Sequence, residues 1–255
     1  MGEKTHYFIA TSRALENAFL ALRDVVSAVQ DEEYVLIGGL MVMLLAVKYP
    51  VQSLIPRATQ DADIGVPTIV AKSGAVHDSL VKLNYAPVRG NAYVMEGEDG
   101  REVNILLPSH EHAGKGSSVV VGERGFDAAP GLHLALSASP EPFDVNITLL
   151  DNSQLTFTVM VPSLLGALVL KLCVREHRRE ERDLYDIHQL LRIRKEYDHE
   201  FTEWSLASPQ RGERGDAQKA AQAIMKLKKN SYTNIVELRM LLQKYVAKPK
   251  FMEPL

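Results

Sequence analysis

Apolar positions along the chain change period several times, and those changes predict the elements. Leu15, Phe19, Leu22, Val26 and Val29 recur at steps of three and four, which predicts an amphipathic helix over 12–30. Tyr34-Val-Leu-Ile37 is a short apolar run ended by Gly38-Gly39. Leu40 to Tyr49 then reads as a buried helix that Pro50 stops. A second strand and helix follow, Asp61-Ala-Asp-Ile64 and then 68–84, where Ile69, Val76, Leu80 and Leu83 keep helical spacing. Extended runs over 87–95 and 102–107 flank Glu96-Gly-Glu-Asp-Gly100, the composition of a hairpin turn. Residues 108–142 are rich in Gly, Ser, His and Pro and yield only a short Val119-Val-Val121 strand. Strands over 143–150 and 155–161 flank Asp151-Asn-Ser153, and Pro162 opens a helix whose apolar face runs from Leu164 to Glu176. Helices over 183–195, 216–229 and 231–246 complete the chain, with a polar connector at 205–215. The order predicts an α/β (α+β) fold, with a mixed-sheet core over 1–161 and a helical region over 162–255.

Composition narrows the class without naming a function. At 255 residues, 46% hydrophobic and 24% charged, the chain has the balance of a globular protein and not of a disordered or disulfide-stapled one. The longest apolar stretch, Tyr34 to Val47, falls short of the about 20 residues that a membrane span needs and contains two glycines. With Cys173 alone no internal disulfide forms, and the first residues carry no apolar export signal, so the expectation is a cytoplasmic protein with no membrane partner. Charge is unevenly placed. Residues 1–170 hold 11 Lys and Arg against 19 Asp and Glu, a net of −8, whereas residues 171–255 hold 18 against 13, a net of +5. Carboxylates at the front and cations at the rear suit a metal site and a polyanion, although solvated helix faces give the same count.

Chemistry concentrates in two blocks. In a strand, residues two apart share a face, so Asp61 and Asp63 present two carboxylates side by side. Mg²⁺ is typically held by one or two carboxylates together with substrate phosphates, so the pair fits a metal–nucleotide complex. Gly38 and Gly39 open a helix whose free N–H groups can meet phosphate oxygens. In the second block Lys171 adjoins a strongly apolar stretch, so it either snorkels outward or meets a partner. Lys171, Arg175, Arg178 and Arg182 fall at helical spacing and predict one cationic stripe, with Asp183 and Asp186 placed either to hold Lys171 or Arg57 or to favour a helix N-terminus.

With these residues in order, the sequence resembles the minimal nucleotidyltransferases of the DNA polymerase beta superfamily. More narrowly it resembles the AbiEii family, MenT-like toxins of type IV toxin-antitoxin and abortive-infection pairs. The matching residues are Gly38-Gly39, Arg57-Ala-Thr59-Gln-Asp61-Ala-Asp63, Lys171, and Arg182-Asp183-Leu-Tyr-Asp186. The resemblance implies transfer of a nucleoside monophosphate from a nucleoside triphosphate, with Mg²⁺ or Mn²⁺ on Asp61 and Asp63. It implies a nucleotide held by Gly38, Gly39, Arg57, Thr59, Lys171 and Asp183, and catalytic roles for Asp61, Asp63, Lys171 and Asp186. The implied acceptor is an RNA 3′ end, tRNA in particular, and the implied partner is a cognate antitoxin.

One position departs from that pattern. The superfamily carries a third acid on the strand beside Asp-x-Asp; within Arg101-Glu-Val-Asn104-Ile the corresponding residue is Asn104, which cannot accept a proton at neutral pH. Either two carboxylates suffice, or Glu102 substitutes, or the chain binds nucleotide without turning it over. A transferase acting on a protein hydroxyl or a small molecule is the alternative enzyme. His110 and His112, in a Gly/Ser-rich loop, match no standard zinc spacing, and Cys173 reads as a packed small residue.

Overall fold

A computed structural model describes residues 6–29, 32–52, 59–88, 91–95, 97, 100–109, 118–122, 124–227 and 232–248. The chain opens with β1 (His6–Ile9) and α1 (Arg13–Ala28), whose N-cap Ser12 accepts a hydrogen bond from the Leu15 amide. Of the predicted stripe Phe19, Leu22 and Val29 are buried and Leu15 and Val26 half-buried, while Val25, outside the stripe, is buried in addition. Next come β2 (Val35–Leu36), α2 (Gly38–Lys48) and β3 (Asp61–Gly65). The helix expected over 68–84 is two helices, α3 (Thr68–Ser73) and α4 (Ala75–Lys82), because Gly74 takes φ +74° between them.

The expected hairpin is β5 (Ala92–Met95) paired antiparallel with β6 (Glu102–Pro108). Its first arm does not begin at Pro87, which belongs to β4 (Tyr85–Pro87), a separate strand folded back along β5. The stretch 108–142 holds more than one strand: β7 (Ser118–Val121), β8 (Arg124–Ala129) and α5 (Leu132–Ser137). Then follow β9 (Glu141–Thr148), β10 (Gln154–Val161), α6 (Leu164–Arg178), α7 (Glu181–Glu196), a 3₁₀ turn at Ser205–Ala207, α8 (Gly212–Met225) and α9 (Ile235–Tyr245). Among the described residues no helix is long and apolar enough to cross a membrane.

The larger sheet runs β2-β3-β6-β5-β4, with β8 against the end of β6 and β7 beside β8. It is mixed as expected: β3–β6 and β6–β8 are parallel, and the other pairs are antiparallel. A second sheet runs β1-β9-β10; its alternating Phe143, Val145 and Ile147 face inward. One apolar core extends from Ala10 to Val246, so the helices after residue 162 pack into the same interior as the sheets.

A carboxylate joins the last helices to the sheet layer. Glu213, in the first turn of α8, accepts hydrogen bonds from the amides of Gly131 (3.0 Å) and Leu134 (2.7 Å) and so caps α5 from another element. The α5 residue Leu132 in turn presses on Gly65 at the end of β3, where an added Cβ would lie 2.3 Å from Leu132 Cδ1. Removing a carboxylate that satisfies two helix-end amides costs about 1–3 kcal/mol. Glu213→Ala should therefore lower the unfolding free energy by that amount in urea titration, and a change smaller than about 0.5 kcal/mol would show that solvent replaces the cap.

Candidate active site

The short strand β2 aligns antiparallel with β3, Leu36 opposite Ile64, and the Ile37 amide donates to the Asp63 carbonyl at 3.0 Å. This pairing carries Gly38 against the Asp63 side chain. Gly38 has φ +72°, and a Cβ there would lie 2.0 Å from Asp63 Oδ2, so both the backbone conformation and the space demand glycine. The Gly38-Gly39 turn and Asp-x-Asp, remote in sequence, thus meet at one corner of the sheet.

That corner opens into a cavity of about 240 Å³ lined by Gly38, Gly39, Thr59, Asp61, Asp63, Asn104, Lys171 and Arg178 among others. Thr59 Oγ1 donates to Asp61 Oδ1 at 2.7 Å and orients that carboxylate. Asp63 faces the cavity and is otherwise enclosed. Burial, with the Asp61 charge added, pushes its pKa up to about 6, against the opposing pull of Lys171, Asn104 and Arg178. Two acids facing one another in a desolvated cleft resist full ionisation, and a bound cation relieves that repulsion. The donor set therefore fits a hard divalent ion held by Asp61 and Asp63.

The cations come from α6 and α7. Lys171 is buried and donates to Asp186 Oδ2 at 2.7 Å, so it meets a partner and does not snorkel. Arg178 grips the fully buried Asp183 with Nε at 3.0 Å and Nη2 at 2.6 Å from its two oxygens. Asp183 and Asp186 stand behind the cavity wall and hold these two cations, while Lys171, Arg178 and Arg182 reach the cavity. The single stripe expected from spacing is not formed. The helix stops at Arg178, Arg179 takes φ +52°, and Arg182 belongs to α7, where it pairs with Glu180. Arg175 is buried away from the cavity.

The parallel register sets Asp61 beside Glu102 and Asp63 beside Asn104. Glu102 does not line the cavity; it accepts a hydrogen bond from Asn104 Nδ2 at 3.3 Å. Two cavity residues had no sequence signal. Asn91 stands just before β5 outside any periodic run, and Asp127 sits on β8 in a stretch without alternation. Arg57 and the histidine pair His110 and His112 lie outside the described residues. Among the described residues, no three acidic, histidine or cysteine side chains stand close enough to share one metal ion.

The raised Asp63 pKa has a consequence for stability. A carboxylate that holds its proton more tightly when folded makes folding less favourable as pH rises from about 4 to about 6, and the loss persists above that range. Asp63→Asn should thus melt several degrees above wild type at pH 7.5 in metal-free buffer, and the advantage should vanish below about pH 4. Millimolar Mg²⁺ should narrow the gap at pH 7.5 by stabilising the wild type alone. Parallel melting curves at all pH values would remove the electrostatic account of this site.

No curated protein matches the chain. The family model for the nucleotidyl transferase AbiEii toxin of type IV toxin-antitoxin systems matches residues 20–238, which takes in the larger sheet, β9, β10 and every described residue that lines the cavity. The glycine turn, the acid pair and the buried lysine all fall within that match, and the chain belongs to the AbiEii family of nucleotidyltransferase toxins.

Proposed function

We propose that the protein is the toxin of a type IV toxin-antitoxin or abortive-infection system and transfers a nucleoside monophosphate from a nucleoside triphosphate to an RNA 3′ end, tRNA in particular. The observation that carries this reading is the convergence of Gly38, Asp61, Asp63 and Lys171 on one cavity. Asp61 and Asp63 would hold Mg²⁺, or Mn²⁺, which when bound offsets negative charge on the triphosphate. The Gly38-Gly39 turn leaves room for phosphate oxygens at the start of α2, where helix amides offer donors. Lys171 and Arg178 stand fixed by Asp186 and Asp183, so their charge meets the departing pyrophosphate without side chains having to reorganise. Family membership supports a cognate antitoxin as partner.

The excess of cations after residue 170 supports a polyanionic acceptor over a small molecule or a protein hydroxyl. Arg179 and Arg182 are exposed at the α6–α7 junction, and Arg182 lines the cavity. Asn104 favours one rival from another class, a nucleotide-binding protein without turnover.

Incubation with each labelled triphosphate, Mg²⁺ and total tRNA separates these readings. Wild type should label tRNA with at least one nucleotide, and Asp61→Ala or Asp63→Ala should reduce labelling by several orders of magnitude while the protein stays folded. Triphosphate binding with no transfer to RNA would favour the rival.

If RNA is held near the α6–α7 junction, log affinity should fall linearly with log salt, with about 0.7 of slope lost per single-strand phosphate contact removed. Arg179→Ala/Arg182→Ala should therefore shallow the slope for tRNA by one to two units in filter binding. An unchanged slope would place the RNA path elsewhere.

A further inference from the structure

The unresolved question at the cavity is what takes the acceptor's proton, since Asn104 stands where an acid is expected. Asn104 is already committed: its amide hydrogen-bonds to Glu102 and to Asp63. Resting on the transferase reading above, we propose that Asp127 and Asn91 form the acceptor subsite for a 3′-terminal ribose, with Asp127 as general base for the 3′-hydroxyl and Asn91 bound to the neighbouring 2′-hydroxyl.

Three observations converge on this wall. The first is its place in the sheet. Gly38 and Gly39 flank β3 on the β2 side, whereas β6 flanks it on the other, and β5 and β8 lie along the far edge of β6. In a displacement at phosphorus the attacking and leaving oxygens stand roughly in line. A triphosphate with its phosphates on the glycine side therefore receives its nucleophile from the β5 and β8 side. Parallel pairing of Leu107 with Ala128 puts Asp127 in the row of Leu106, on the same face as Asn104 and two strand spacings, about 10 Å, from β3. Such a separation leaves room for a hydroxyl between Asp127 and the metal-binding acids. It agrees with the absence, among the described residues, of a third acid close enough to share their ion.

The second observation is Asn91. The residue lines the cavity and is only 8% exposed. An amide at a cavity wall can both donate to and accept from a hydroxyl placed there. The third is Asp127 itself, which is exposed, lines the same cavity, and is an acceptor only, suited to a group that donates. A carboxylate and a neutral amide lining one cavity are poor hosts for phosphate. They match a vicinal diol, which an RNA 3′ end offers and a protein hydroxyl does not.

The step balances. The 3′ O–H proton moves to an Asp127 oxygen, the freed oxygen bonds to the α-phosphorus, and the bond from α-phosphorus to the bridging oxygen breaks. Pyrophosphate departs with that electron pair, and Asp127 later gives its proton to solvent. The RNA leaves one nucleotide longer.

The test uses the full chain with tRNA and labelled triphosphate. Loss of a general base typically costs a hundredfold or more. Asp127→Asn should lower kcat by at least that factor, with the triphosphate dissociation constant, measured without acceptor in Mg²⁺, within twofold of wild type. Asn104→Asp placed in the Asp127→Asn protein should restore part of the rate by returning an acid to the cavity. Asn91→Ala should lose about tenfold on tRNA ending in a normal ribose, and should lose no further rate when the terminal 2′-hydroxyl is removed, whereas wild type should lose about tenfold on that change. Full activity in Asp127→Asn, or a matching fall in triphosphate affinity, would overturn the assignment. A wild type that binds no triphosphate would instead overturn the transferase reading itself.

Discussion

Two carboxylates compressed at the end of one strand set the terms for the rest of the molecule. Burial first, and the Asp61 charge second, make the ionised form of Asp63 costly and push its pKa up to about 6. Positive charge must stand nearby without collapsing onto the acids and filling the place of the ion. The protein meets this by giving each cation a stronger partner of its own. Lys171 is held by Asp186 and Arg178 by Asp183, both acids buried behind the wall. The cations are felt at Asp63 but belong elsewhere.

This division explains why the second block of the sequence lies on two helices and not on one. A continuous helix through Arg182 would place four cations along a single line, and only some could face a pocket of this size. The turn at Arg179 lets α7 fold back so that Asp183 and Asp186 come within reach of α6. Arg179 and Arg182 are thereby left exposed at the turn while Lys171 stays buried.

The parts legible in the sequence were those whose cause is local. Gly38-Gly39, the alternation of Asp61 and Asp63, the α1 stripe and the β9–β10 hairpin are each specified by one short, continuous segment of sequence. Strand β1 was not legible, because four residues of mixed polarity become a strand only when β9 offers a parallel edge. Asp127 and Asn91 were missed for the same reason. Arg124-Gly-Phe-Asp-Ala-Ala carries no strong period, and its strand exists through pairing with β6 and β7. The partners of Lys171 and Arg178 were left open by spacing, since Asp183 and Asp186 could equally have served a helix end. The break at Arg179 was invisible because arginine is not a residue that announces a left-handed turn.

The cap that Glu213 places on α5 ties the acid pair to the order in which the chain is made. Every described residue that lines the cavity has been translated by position 182, yet the acid that holds α5 beneath β3 arrives some thirty residues later. A ribosome that stalls or is cut short in that interval releases a chain with the full set of cavity residues and no cap to keep β3 seated on Leu132. One hydrogen-bonded side chain thus links the last part of the described chain to the strand that bears the acid pair.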